Sequence, residues 1–334
     1  MNTSLLLNSA IGTYVVQSTL HALIAALIVD RGLQAWSIEH PLIRQRFRIA
    51  VIQVALFSYP LYQMVNPERG SLLFRLGALF DSARWLSLEL WGWLPLGTLF
   101  ALILVITTLL FLFQELIPIL RHARTPAKTS FVWKEYDCES FTGAPLKTAP
   151  QECPKIFFAE TDELFLYSST GRNTAVYISS GLIAALTPEQ LQAALAHEIA
   201  HIRRSRRPLL IVVFILRMVL FFNPVVLLEF RRITQEEEKI CDDMAAAYSG
   251  TPHHMAETLR KIHLAGAPHT DPQGNTLSRV RQSLEEYSHA AHIATRIARL
   301  EEETAAEDVS KANGRWPQFI CTVIIVAAVN YFIV

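Results

Sequence analysis

The residues His197-Glu198-Ile199-Ala200-His201 hold the densest chemistry in the sequence. Two histidines four apart share one face of a helix, so both imidazoles can reach a single zinc ion. The glutamate between them points beside the metal, where it can take a proton from a metal-activated water. With 11 His in 334 residues, an H-E-x-x-H pattern by chance is rare. The flanking residues also specify a helix over 188–207. Thr187 is a natural N-cap, Pro188 suits the first position, and Gln190 completes the capping-box spacing. Arg203, Arg204, Arg206 and Arg207 crowd the far end, where the helix dipole and an anionic membrane surface both favour cations.

A catalytic zinc takes three protein ligands and keeps one position open. The run Glu238-Lys239-Ile240-Cys241-Asp242 offers the third ligand from a second helix. Glu238 and Asp242 are four apart and share a face. Glu238 can bind the metal, while Asp242 can hold the far nitrogen of a ligand histidine and fix its tautomer. Glu237 competes with Glu238 for the ligand role, and an acidic run such as 236–238 taken alone would read as a solvated helix face. Cys241 lies off the face of Glu238 and reads as a packing residue.

Both ligand helices must meet at one ion, so they lie on one side of any membrane. Only one apolar run, Leu209 to Phe222, separates them. One crossing would put the ligands on opposite sides, and two need about 40 residues plus a turn. The interval from His201 to Glu238 is 37 residues, part of it already used by the ligand helices. Residues 209–230 are therefore expected to form a non-spanning apolar hairpin, folded at Asn223-Pro224. Arg217 in its middle agrees, since a lone charge at the bilayer centre is costly.

The rest of the chain supplies the membrane. Half of it is apolar (51%), only 18% is charged, and the mean hydropathy is +0.27. This excludes a disordered chain. Thirty basic residues cancel 30 acidic ones, leaving no field to attract nucleic acid. Four scattered cysteines make no disulfide scaffold. Residues 11–29, 47–65, 93–120 and 317–334 read as spans. Residues 71–90 carry apolar positions at helical spacing but four charges, and read as an interfacial helix. Arg31, Arg44, Arg46 and Arg48 cluster between the first two spans, and Arg121, Arg124, Lys128 and Lys134 follow the third. By the positive-inside rule both termini lie outside, and residues 121–316 lie in the cytoplasm. The expected fold class is α+β, mainly α: a multi-span helical membrane protein with a cytoplasmic zincin domain. Two short strands, Lys155 to Ala159 and Ala175 to Ser179, precede the catalytic helix.

Four stretches together resemble a known family. They are Thr187-Pro188-Glu189-Gln190-Leu191, Ala196 through Arg204 with the zinc motif, Phe221-Phe222-Asn223-Pro224-Val225-Val226, and Glu238 through Asp243. They look like the BlaR/MecR-type antirepressor metallopeptidases of bacterial membranes. The Asn-Pro step and Glu-x-x-Cys-Asp favour this family over the Ste24/HtpX-type membrane proteases, which usually carry Ala where Cys241 stands. The resemblance implies a gluzincin fold, with His197, His201 and Glu238 as zinc ligands, Glu198 as general base and one Zn2+ per chain. It implies cleavage of a protein or peptide substrate and a place in the bacterial inner membrane. Sensor-bearing members carry a β-lactam-binding domain after their last span. With Val334 closing this sequence, a member without that domain is expected. Gluzincins often pair the substrate with an edge strand, and Ala175, Val176, Tyr177, Ile178 and Ser179 form the candidate. His289, His292 and Arg296 loosely resemble a His and an Arg that follow the second motif in Ste24/HtpX-type proteases. They are candidates for transition-state or substrate contacts.

Three functions compete at this point. One is a zinc endopeptidase of regulatory proteolysis at the cytoplasmic face. Another is a quality-control protease of the Ste24/HtpX type, with the same chemistry. The third is a signalling or scaffold protein whose metal is structural, although such sites usually close with four protein ligands. The expected partners are a substrate protein and the lipid bilayer, without nucleic acid. The sequence leaves the oligomeric state open, a homodimer included.

Overall fold

A computed structural model describes residues 9–117, 132–136, 154–169, 174–205, 208–250, 252–264, 291–302 and 315–334. In chain order the principal elements are α1 (Ala10–Ala35), α2 (Pro41–Val65) and α3 (Leu96–Phe111), then strands β1 (Trp133–Tyr136), β2 (Lys155–Ala159), β3 (Leu166–Ser169) and β4 (Ala175–Ser179). They are followed by α4 (Pro188–Ser205), α5 (Pro208–Val219), α6 (Pro224–Ser249), α7 (Pro252–Leu259), α8 (residues 291–301) and α9 (Trp316–Tyr331). The chain divides into two compact units. The first holds residues 1–127, 209–236 and 309–334, and the second holds 128–208 and 237–308.

The first unit is helical. Its core joins Ala22, Val29 and Leu33 of α1 with Phe47, Val51 and Ile52 of α2, Val213 of α5, Val226 and Ile233 of α6, and Val326 of α9. Two of its helices are long and apolar enough to cross a membrane, Ala10–Ala35 and Leu96–Gln114. The expected span 47–65 is helical throughout, and the expected span 317–334 is helical as far as Tyr331. Helix α2, however, opens with Arg44, Arg46 and Arg48, and α9 has 16 residues, about 24 Å of helix. Helix α5, with 12 residues, is about 18 Å long and too short for a hydrocarbon core of about 30 Å. It turns at Asn223, whose Oδ1 accepts from the backbone N–H groups of Val225 (3.0 Å) and Val226 (3.4 Å) and so caps α6.

The expected continuous helix over 71–90 is corrected. Residues Leu72–Leu76 and Ser82–Leu86 form two short helices with a break between them. The break has a local cause. Gly77 ends the first helix, and Asp81 accepts from the N–H groups of Ala83 and Arg84 to start the second while pairing with Arg75 at 2.8 Å. The third span is likewise trimmed at its start: Leu94–Pro95 pairs with Glu89–Leu90 as a small hairpin, and helix begins only at Leu96. Residues 118–120 lie outside the described residues.

The second unit is α+β. Its sheet has the order β1-β2-β4-β3, with β2 and β4 parallel and the outer pairs antiparallel. Ile156, Val176 and Ile178 face the core against Leu195, Ile199 and Ile202 of α4 and Ile293, Ile297 and Leu300 of α8. Both sequence-expected strands are present with the expected ends. The edge role given to Ala175, Val176, Tyr177, Ile178 and Ser179 is overturned. This strand is hydrogen-bonded on both sides, and all its residues except Tyr177 are buried. Strands so apolar belong inside a sheet. Among the described residues the edge that packs against α4 is β3.

Helix α4 starts as the capping box requires. The Thr187 N–H donates to Gln190 Oε1 (3.2 Å), and the Gln190 N–H donates to Thr187 Oγ1 (3.3 Å). Between β4 and α4 the chain passes Gly181, where a Cβ would stand 2.5 Å from the carbonyl oxygen of Asp162. Gly181→Ala is therefore expected to lower the stability of this unit by roughly 1–3 kcal/mol. Denaturant unfolding of the purified protein checks this, and an unchanged midpoint would refute it.

Candidate metal centre

The α4 side chains at 197 and 201 and the α6 side chain at 238 converge. His197 Nε2 and His201 Nε2 lie 3.0 Å apart, and the Glu238 carboxylate stands 3.6 Å from the first and 3.5 Å from the second. Among the described residues this is the group of His, Cys, Asp and Glu with metal-holding proximity. Ligand atoms 2.0–2.2 Å from a tetrahedral zinc stand about 3.3–3.6 Å apart. Three unbound donors already near those separations fit a zinc ion with little movement. A His2Glu set of three donors is also the ligand composition of catalytic zinc sites, whereas structural sites usually close with four protein ligands.

The acidic run resolves residue by residue. Glu236 pairs with Arg44 at 3.0 Å. Glu237 is gripped by Arg204 through two contacts, one of them 2.5 Å, and is buried. Only Glu238 turns to the histidines. Glu237, the competing ligand in sequence terms, is thus occupied elsewhere. The alternative of a solvated acidic face also falls, since Glu236 and Glu237 are both buried.

Behind the ligands lies a second layer of contacts, centred on Asp242. Its carboxylate is fully buried and takes two hydrogen bonds from Arg296, Nε to Oδ2 and Nη2 to Oδ1, both 2.7 Å. Its Oδ1 also stands 3.1 Å from His197 Nδ1, the nitrogen on the far side of the ring from the convergence point. That approach is oblique, and Nδ1 makes no full hydrogen bond in this arrangement. Arg296 reaches Glu238 as well, with Nη1 3.0 Å from Oε2. On the other ring, His201 Nδ1 lies 3.4 Å from Cys241 Sγ. Cys241 does pack, with no exposed surface. It also faces His201 Nδ1, the outer ring nitrogen that corresponds to the one Asp242 approaches on His197. Sequence spacing conceals this, because the period of α6 relates Cys241 to Glu238 on its own helix and carries no information about the facing helix α4.

The electrostatics follow from burial and pairing. Burial pushes the Asp242 carboxyl up, but the Arg296 hydrogen bonds and the neighbouring His197 outweigh it and hold the group well below the carboxylate range. Burial likewise opposes ionisation of Glu238, while His197, His201 and Arg296 pull it down to about 2. Burial pushes His197 down, and Asp242 and Glu238 push it up harder, to about 9. His201 is lowered by burial and by the charge on His197. Burial and the acids at 237 and 238 push the Cys241 thiol up, so it stays neutral and is a poor metal ligand.

The remaining sequence candidates separate. Glu198 is half-buried on α4, next to His197 in sequence, and the structure gives it no hydrogen bond or ion pair among the described residues. Arg296, a sequence candidate for a transition-state or substrate contact, is 4% exposed, and its guanidinium pairs with Asp242 and Glu238. His292 is one turn away on α8, half-buried, with a buried Nε2 that lacks a hydrogen-bond partner among the described residues. Among the described residues it makes no hydrogen bond or ion pair with the three converging side chains. His289 lies outside the described residues.

Residues 172–287 match the family model described as BlaR1 peptidase M56. The matched segment carries both motifs and the Asn223-Pro224 turn, and it agrees with the resemblance read from the sequence. It supports a membrane-associated metallopeptidase. No solved structure matches the chain.

Two outcomes are expected of this centre. His197 must lose its proton to bind metal, so apparent zinc affinity should rise with pH by about tenfold per unit up to about 9. The metal-free protein should show the opposite sign. The raised His197 pKa gives stability that is complete below about 6.5 and lost as pH climbs through about 9. Competition with a chromophoric chelator and urea melts across that range measure both; a flat affinity profile would contradict the assignment. Separately, Asp242→Asn should weaken zinc binding by roughly 10–100-fold, as loss of a ligand-orienting partner does, with Glu238→Gln weaker still.

Proposed function

We propose, from the match to the BlaR1-type peptidase family, that this chain is a zinc-dependent endopeptidase held in the bacterial inner membrane, cutting a protein substrate at the cytoplasmic face in regulatory proteolysis. The observation that carries this reading is the convergence of His197 Nε2, His201 Nε2 and the Glu238 carboxylate, three donors 3.0–3.6 Å apart, with Glu198 next to His197 in the chain.

His197, His201 and Glu238 would hold the ion, which supplies Lewis acidity toward a peptide carbonyl and makes water a better nucleophile. Asp242 and Cys241 would orient the two imidazoles so that their Nε2 atoms face the centre. Arg296 keeps Asp242 and Glu238 ionised and in place. Glu198 takes the proton of the attacking water and returns it to the leaving amine. The substrate backbone would lie along β3, the sheet edge next to α4, and pair with it as an added strand. The first unit, with its two helices long and apolar enough to cross, would be the membrane part, with α2 and α9 as two further spans and α5 as the non-spanning arm of the hairpin.

Glu198→Gln separates this reading from a scaffold. The substitution should leave bound zinc near one per chain and lower proteolysis by about 10²–10⁴-fold. Bound metal is counted by mass spectrometry, and cleavage is read by comparing new protein termini in cells carrying either form. Unchanged termini with unchanged zinc would mean that the metal is structural. Loss of cleavage across many misfolded membrane proteins, not of one discrete product, would move the protein to quality control.

A further inference from the structure

In the first unit a groove of about 460 Å³ runs between α2 and α9, with α1 as its floor. Its wall on α2 extends from Phe47 to Tyr62, roughly 22 Å of helix. Almost all of it is apolar, and Phe57 and Val323 on its rims are 49% and 40% exposed. The shape is a long, narrow trough.

One end of the trough is polar and unsatisfied. Three arginines stand at alternate positions of α2. Arg44 pairs with Glu236 at 3.0 Å, and Arg48 pairs with Glu229 at 3.0 Å and Asp30 at 3.3 Å. Arg46, one turn before the groove residue Ala50, has no carboxylate among the described residues. Its guanidinium lies 4.1 Å over the Trp316 ring, with Nη1 buried and lacking a hydrogen-bond partner. Trp316 packs edge-on against Phe319, which lines the trough, so the arginine sits at its mouth. Trp316 also opens α9, whose N-terminus has no side-chain cap. The Gln318 Oε1 on the same first turn is buried without a donor. A cation lacking its anion and an uncapped helix start that favours negative charge therefore meet at the head of an apolar trough, with an acceptor lacking its donor on the same first turn of α9.

We propose that this trough is a binding site for an anionic phospholipid with a hydroxyl-bearing headgroup. The phosphodiester lies against Arg46 and the start of α9, a headgroup hydroxyl donates to Gln318, and one acyl chain occupies the trough past Phe57 and Val323. Charge complementarity favours a lipid over a partner helix, because the unmatched groups sit together at one end and the rest of the trough is apolar. The inference rests on the proposed membrane insertion of the first unit.

The full chain, reconstituted in phosphatidylcholine vesicles, tests it with phosphatidylglycerol or phosphatidylcholine probes carrying a photoactivatable acyl chain. Adducts are mapped by mass spectrometry. Phosphatidylglycerol should label Phe57 and Val323 about tenfold more than phosphatidylcholine, the usual weight of one charge-assisted hydrogen bond. Arg46→Gln should remove the excess, and Arg46→Lys should keep most of it. Val323→Trp, which fills the trough and leaves the arginine intact, should abolish labelling of Phe57. Equal labelling by both lipids, insensitive to Arg46→Gln, overturns the proposal, as does a polypeptide adduct at Phe57 in place of lipid. So does an unlabelled trough when Ile103 and Leu109 of α3 are labelled. A chain that does not float with the vesicles, and is labelled nowhere, overturns the membrane reading and this inference with it.

Discussion

Two carboxylates on one turn of α6 govern the second unit. Asp242 has no exposed surface, and Glu238 keeps about a third of its side chain exposed. An ionised acid taken out of water costs far more than a typical protein's whole stability margin unless it is paired and hydrogen-bonded. Arg296 supplies one positive charge to both acids and His197 supplies another. The cluster balances with a proton on His197, a positive charge that a divalent ion held by His197, His201 and Glu238 would supply in its place. Placement of α8 beside α6 follows from this. Ile293, Ile297 and Leu300 bury one stripe of that helix in the core while Arg296 points to the acids.

The same demand explains the three consecutive glutamates. Each leaves the helix about 100° from the last, so each must meet a different partner. Glu236 meets Arg44, Glu237 meets Arg204, and Glu238 meets the histidine pair. In one linear string of like charge, one residue can act as a ligand because its neighbours are neutralised by arginines.

The two arginine sets of the chain differ in a telling way. In the metal centre and in the α1–α2–α6 cluster of Asp30, Arg48, Glu229 and Arg232, each guanidinium finds a carboxylate. Arg46 finds an aromatic face instead. The fold thus tolerates a cation there, at the edge of an apolar trough, without its counter-charge from the described chain.

Spacing alone placed His197, Glu198 and His201 on one helix and Glu238 and Asp242 on another, because a helix repeats every 3.6 residues and the ligand types are chemically distinctive. Spacing also predicted the strands at 155–159 and 175–179, the capping box at Thr187 and the fold-back at Asn223. Those features depend on neighbours a few residues away. Contacts between distant segments were decided only by the tertiary structure. It alone seated Arg296 on Asp242, turned Cys241 toward His201, took Glu237 out of the ligand set, put Ala175–Ser179 inside the sheet with β3 at its edge, and broke residues 71–90 into two helices. A side chain's role there is set by which surface it is pressed against, and a linear pattern carries its own period but not the identity of the face opposite.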